Sequence, residues 1–403
     1  MAGDTPGRPG GPGRSPDGAG RAQGRRPGRR DRRDGPPPTP PPAPAADARA
    51  ADWLIYNGGR VQHDGIDHLP DPPPWRRFDG GPLQDRPPGG SGNEHAAASY
   101  RPHPDAVRHV NAALYLRRPL LVTGPPGTGK STLAYAVAHE LKLGPVLHWP
   151  ITSRTTLQDG LYQYDPLTRL YAQGRPGGGA DGPGPGPDSG PEDDIGRYIR
   201  LGPLGTALLP YERPRVLLID EIDKSDIDLP GDLLTVFEKG SYDIVELARR
   251  EAGGATVMTA DSTTGRAEIA DGTVTCHAFP LVIMTSNGER EFPPAFLRRC
   301  VSLKLRQPAG LPELTAIVAQ HLGGVLGLPD DGDAADAELP EQARQLVERF
   351  YRRRDSGLLA NDQLLNAVYL CHHAVLSDRP QDAYQLADQV MPFLSAETEH
   401  EED

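Results

Sequence analysis

"PLLVTGPPGTGKSTLAYAVAHEL", Pro119 to Leu141, decides how this chain is read. "PLLVT" has the apolar run of a short buried strand, and "STLAYAVAHEL" has the make-up of a helix. Between them, Gly124 to Ser131 fits the spacing G-x-x-x-x-G-K-[ST]. The glycines let backbone N–H groups curl around phosphate oxygens, and the helix that follows adds the positive end of its dipole. Lys130 is then placed to reach the β- and γ-phosphates of a nucleotide, and the Ser131 hydroxyl to hold Mg2+. The candidate nucleotide-binding set is Gly124, Pro125, Pro126, Gly127, Thr128, Gly129, Lys130, Ser131 and Thr132. The plainer alternative is a glycine-rich turn ahead of a helix. Lysine occurs only at positions 130, 142, 224, 239 and 304, so composition alone does not account for a lysine at this place.

Downstream, "RPRVLLIDEIDKSD" (Arg213 to Asp226) runs four apolar residues into Asp220 and Glu221. An unpaired buried charge is costly, so both acids must reach water or a cation. A parallel strand ending beside the phosphate loop resolves this. Asp220 would hold Mg2+ through water, and Glu221 would orient and deprotonate the water attacking the γ-phosphate. Asp223, Asp226 and Asp228 follow and read as a solvated face or subunit contact. "VIMTSN" places Asn287 just past a further strand, expected between the other two, where it can touch both the γ-phosphate and the attacking water.

The whole chain sets bounds. Its 403 residues have room for two or three domains, and a net charge of −12 speaks against broad nucleic-acid binding. The first 34 residues are an exception, with nine arginines against four acids. Three widely spaced cysteines form neither a disulfide framework nor a zinc pattern, so a reducing cytosol fits best and the expected location is cytoplasmic. No apolar run approaches the length of a membrane span, and the arginine-rich start lacks the apolar core of a secretory signal.

Five apolar runs, "PLLVT", "PVLHW", "RPRVLLID", "FPLVIMTSN" and "CVSLKL", alternate with helical stretches. That alternation predicts an α/β fold with a parallel sheet covered on both faces. Residues 1–50, rich in Gly, Pro and Arg, are expected to be a disordered tail. Residues 51–103 read as an extended arm with aromatic anchors, Trp53, Tyr56, Trp75 and Phe78 among them. The α/β domain should occupy 104–309, with an insert over 156–212 and a β-hairpin excursion over 250–276. Within the insert, 173–194 is a low-complexity loop. Four helical patterns over 310–394 predict a small all-α lid, and 395–403 is an acidic tail. His372, His373 and Cys371 are adjacent on a helix and point apart, which disfavours a metal site.

With these segments in place, the chain resembles the AAA+ ATPases of the MoxR type, in the helix-2-insert group. "GPPGTGKS", "VLLIDEIDKSD", "TSN" and "PPAFLRRC" carry the likeness, in that order, together with "LYQYDPLTRLY" and "YIRLGPLGTALLP". The resemblance covers about 104–380. It implies a P-loop NTPase parallel-sheet domain with an α-helical lid, ATP and Mg2+ as cofactors, and a homo-hexameric ring. It also implies a protein client that is remodelled or assembled by ATP hydrolysis, and a partner carrying a von Willebrand factor A domain. On the family's motifs, Gly124, Gly129, Lys130 and Ser131 fall on Walker A, Asp220 and Glu221 on Walker B, and Asn287 on sensor 1. Arg299 aligns best with the arginine finger and Arg298 is adjacent. The stretch Asn361, Asp362, Gln363 lacks the arginine that sensor 2 often carries, and Arg352, Arg353 and Arg354 lie one loop earlier. Tyr162, Tyr164 and Tyr171 of the insert are either client handles or packing against its own core. A nucleotide-gated switch or scaffold that recruits a partner with little hydrolysis is the alternative to a motor.

Overall fold

The computed structural model describes residues 53–85, 90, 92–94, 97, 100–173, 195–249, 253–262, 264–308, 310–328, 338–354 and 360–376. The tail over 1–50, the low-complexity residues 174–194, the last helix expected before 394 and the acidic tail lie outside the described residues.

The strands are β1 (Leu120–Thr123), β2 (Leu147–Pro150), β3 (Tyr162–Tyr164), β4 (Ile199–Leu201), β5 (Val216–Asp220), β6 (Ser241–Asp243), β7 (Ala255–Met258), β8 (Arg266–Ile269), β9 (Thr273–Thr275), β10 (Leu281–Ser286) and β11 (Val301–Lys304). Five of them form a parallel sheet in the order β11-β1-β10-β5-β2. These are the five apolar runs of the sequence, and β10 lies between β1 and β5 as expected.

Successive residues along a strand face opposite sides, and the core divides accordingly. Leu121, Leu217, Ile219, Val282 and Met284 enter one hydrophobic cluster, and Leu120, Val122, Val216, Leu218, Leu281 and Ile283 enter the other. The second cluster is covered by α1 (Pro104–Leu116) and α2 (Lys130–Glu140), through Val107, Val110, Leu114, Leu133 and Val137. His103 caps α1 by accepting from the Asp105 N–H, and Pro104 occupies its first turn, where no donor is missed. The first cluster is covered by the insert and by α4 (Leu229–Lys239), which follows α3 (Pro166–Gln173) in the chain.

The hairpin expected over 250–276 contains the antiparallel pair β7–β8, which extends the strands of the insert. β3, β4, β7 and β8 make a four-stranded sheet, in which Arg200 of β4 pairs with Met258 of β7. β9 pairs with β6 instead. Arg215 is fully buried and its guanidinium meets the carboxylate of Asp261, fastening the β7–β8 turn to the start of β5.

After the short α5 (Pro294–Leu297) and β11 come α6 (Leu311–Leu326), α7 (Glu341–Arg354) and α8 (Asn361–Leu376). They enclose their own core of Leu314, Val318, Leu346, Phe350, Leu364 and Val368.

Residues 53–85 lie along the α/β domain. Asn111 of α1 is fully buried and accepts from the Ile55 and Tyr56 N–H groups at 2.6 and 3.0 Å. Glu140, also fully buried at the end of α2, accepts from the Asn57 N–H at 2.5 Å and stands 3.0 Å from His63 Nε2. Burial pushes the Glu140 carboxyl up, against the pull of the Asn57 N–H and His63. Two aromatic anchors, Trp53 and Trp75, are exposed and depart from expectation. Trp75 is 74% exposed, while its neighbour Arg76 is buried. A single 3-10 turn over Pro74–Arg76 turns the arginine inward. There it donates to Phe237 O at 2.8 Å and to Arg117 O at 2.6 Å, and lies 4.4 Å from the Phe279 ring centre.

Candidate active site

The phosphate-loop candidates sit where β1 ends. Gly129 caps α2 in a left-handed conformation, with no side-chain cap on the helix start. The first N–H groups of α2 are therefore left without a capping side chain, as an anion cradle requires. Lys130 is the first residue of α2 and is buried. Its ammonium donates to Gly124 O at 2.9 Å and Pro125 O at 2.8 Å, closing the loop on itself. Burial pulls the Lys130 ammonium below its ordinary value, and the negative charges of Asp223, Asp220 and Glu221 oppose that shift. Thr128 Oγ1 donates to Pro125 O at 2.9 Å.

Asp220 ends β5 and meets this loop directly. Ser131 Oγ donates to Asp220 Oδ1 at 2.7 Å, Thr285 Oγ1 donates to the same oxygen at 2.5 Å, and His148 Nε2 stands 3.4 Å from Oδ2. Burial works against ionisation of Asp220, yet the hydrogen bonds from His148, Thr285 and Ser131 outweigh it and hold the carboxyl down to about 2. A serine hydroxyl and an ionised carboxylate that converge are hard oxygen donors of the kind magnesium takes, so these residues fit that ion.

Glu221 adopts φ 62°, ψ 47°, a left-handed backbone rare outside glycine. Its N–H donates to Thr285 Oγ1 at 2.9 Å, and its carboxylate accepts from Lys224 Nζ at 2.8 Å. Asn287 follows β10, between β1 and β5. Gly124 N–H donates to Ser286 O at 3.3 Å, which joins the loop to the end of β10.

Arg298 and Arg299 are not brought to this pocket. They precede β11, whose first residue, Val301, pairs with Leu120 at the start of β1. The phosphate loop leaves from the other end of β1, about 10 Å away at 3.3 Å per residue. Arg299 pairs with Glu238 of α4 and donates to Ala295 O, and the carbonyl of Arg298 accepts from Arg118.

One reading of an individual residue is corrected. Asp223 is not on a solvated face; it is 5% exposed, and one of its carboxylate oxygens accepts from the N–H groups of Asn287, Gly288 and Glu289. Asp226 and Asp228 are exposed. The insert tyrosines divide. Tyr162 is buried with its hydroxyl accepting from the Val245 N–H, Tyr164 packs partly on the core, and Tyr171 is 73% exposed.

Thr285 and His148 join the site without having stood out in the sequence. A signal for Thr285 is present there: a polar residue in a central, otherwise apolar strand needs a partner. In the lid, Asn361 and Ala360 approach Gly127 of the phosphate loop, and Arg352 is directed to Glu348 on its own helix.

The parallel five-stranded sheet, the loop at the end of β1 and the helical C-terminal region define a P-loop α/β domain of the AAA+ kind. Residues 119–300 match the family model of the AAA domain, dynein-related subfamily. Among curated proteins, none matches the chain. Similar solved structures include NtrX from Brucella abortus in complex with ADP, at 14% identity over 71% of this chain and 54% of that chain, with a TM-score of 0.31. A point variant of RuvB from Thermotoga maritima is similar at 14% identity over 71% of this chain and 66% of that one, with a TM-score of 0.36. C. elegans PCH-2 is similar at 17% identity over 73% and 65%, with a TM-score of 0.32. The chain thus spans about half to two thirds of the length of these structures. Among the described residues, no helix is long and apolar enough to cross a membrane.

Proposed function

We propose that this chain binds and hydrolyses ATP with Mg2+, assembles into a ring of identical subunits, and uses the cycle to remodel or assemble a protein client. The observation that carries this reading is the meeting of Ser131 with Asp220, beside Lys130 and with Asn287 just past the strand between. Lys130 would exchange its bonds to Gly124 O and Pro125 O for phosphate oxygens, and the α2 N–H groups would take the remaining phosphate charge. Magnesium, held by Ser131 and Asp220, would supply charge neutralisation at the phosphates. Glu221 would leave Lys224 and accept a proton from the attacking water, which Asn287 would orient.

Arg299, or Arg298 beside it, would complete the pocket of the next subunit. The placement of both at the far end of β1 from the loop of their own chain supports sharing between copies rather than self-supply. A hexamer, a MoxR-type client role, a von Willebrand factor A domain partner and a cytoplasmic setting belong to the same proposal. Cys276, Cys300 and Cys371 are buried thiols, which suits a reducing compartment.

The test is turnover of ATP by concentrated protein with Mg2+, set against Glu221→Gln. Turnover that disappears in the variant supports the motor. Tight ATP binding with turnover no faster than in Glu221→Gln favours the alternative, a switch or scaffold that recruits a partner through the arm or the insert. The ion pair of Glu221 with Lys224 is the observation on that side.

A further inference from the structure

We propose that Asp223 is a positioning residue, setting the turn that carries Asn287 against Glu221 and thereby governing hydrolysis rather than nucleotide binding. This rests on the ATPase reading above and deepens it.

Asp223 lies in the 3-10 turn over Ile222–Lys224 that leaves β5, two residues beyond Glu221. At 5% exposure its carboxylate is deep enough that burial must be offset. The offset comes from the turn past β10. Oδ2 accepts from the N–H groups of Asn287 at 3.0 Å, Gly288 at 3.0 Å and Glu289 at 3.1 Å. Three consecutive N–H groups converge on one atom only if the backbone curls. Gly288, at φ +82°, provides the curl. Ser286 Oγ accepts from the Gly288 N–H as well, at 3.0 Å.

The turn being held is the one past β10 that bears Asn287. Among the described residues the Asn287 side chain has no hydrogen-bond partner, so its aim is set by its backbone. The backbone is set by Asp223. The other end of the tie is equally defined, because the Glu221 N–H is held by Thr285 Oγ1, on β10 itself. Asp223 therefore ties the candidate base to the backbone of the candidate water-orienting residue, with no hydrogen bond to the phosphate loop among the described residues. Such a residue acts through Asn287. Its loss should lower kcat and leave binding to Lys130 and the loop in place.

The test uses the full chain, a fluorescent ATP analogue for affinity, and steady-state turnover. Asp223→Ala should lower kcat at least tenfold with Kd within about threefold of wild type. Asp223→Asn keeps one side-chain oxygen as acceptor and should recover most of the loss. Asp223→Ala combined with Asn287→Ala should turn over no more slowly than Asn287→Ala alone, because the two act as a unit. Gly288→Ala offers a second route if Asp223→Ala does not fold. A Cβ there meets nothing within 4 Å, so the change strains only the turn, and it should also lower kcat at constant Kd. Multiplicative losses in the double variant, or full turnover in Asp223→Ala or Gly288→Ala, overturn the proposal while leaving the ATPase reading intact. Wild-type protein that neither binds nor hydrolyses ATP removes both.

Discussion

Ser131 and Asp220 stand 89 positions apart in the chain, and their side chains meet at 2.7 Å. This contact closes the α2 start onto the end of β5 and gives Asp220 one of the bonds that hold it ionised to about pH 2. The carboxyl of an unfolded chain titrates near 3.9. Because the folded value is depressed, the stabilisation is complete above the unfolded value and lost as pH falls toward the folded one. Wild type should therefore exceed Asp220→Asn in stability at pH 7 by about 2 kcal/mol. Melting curves from pH 7 to 2 should show the gap closing between about 4 and 2; a gap that widens with acid would refute the network.

Subunit sharing makes a separate prediction. Arg299→Ala and Lys130→Ala should each abolish most turnover, since each damages one half of every pocket. Mixed in equal amounts under conditions that let subunits exchange, they should recover a measurable fraction, because some pockets then combine an intact Lys130 with an intact Arg299 from a neighbour. No recovery after verified exchange would count against a finger in trans. Arg299 is paired to Glu238 in this structure, so Glu238→Ala should not reduce turnover.

The phosphate loop and the lid are predicted to move together. A Cβ at Gly127 would come within 2.7 Å of Asn361 N and 2.9 Å of Ala360 Cβ, at a φ of +72° that suits glycine. Gly127→Val should cost roughly 1–3 kcal/mol from backbone strain alone. It should also raise amide hydrogen exchange at the start of α8, over residues 361–366. Unchanged exchange there would mean that the lid does not rest on the loop in solution.

The sheet is legible in the sequence because each strand is an apolar run between helical stretches, and the loop because lysine is rare and glycine spacing there is specific. The place of β10 between β1 and β5 is the part of the strand order expected from the sequence; the positions of β2 and β11 are not. Asp223 escapes a sequence reading for a physical reason. In "DEIDKSD" the acids look alike, and what buries one of them is three N–H groups some 64 residues downstream, which no local pattern records. Trp75 departs from its expected place on similar grounds. Hydrophobicity favours the tryptophan as the anchor, but one 3-10 turn decides which of two neighbours faces inward, and the carbonyl groups at two helix ends give the arginine a better-satisfied seat.

That seat is open to test. Arg76 donates to the carbonyls of Phe237 and Arg117, and its loss leaves them without that donor. Arg76→Ala should destabilise the protein by about 2–4 kcal/mol. Arg76→Lys should restore little, because one ammonium cannot reach both carbonyls and stack on Phe279 at once. Thermal melting of the two variants side by side measures this.

Residues 57 and 63 grip Glu140, and Glu140 ends the same helix that Lys130 begins. An α-helix of this length is a stiff rod of about 16 Å. Tension on the strap over residues 53–85 would thus arrive at one tip of a lever whose opposite tip carries the candidate phosphate loop.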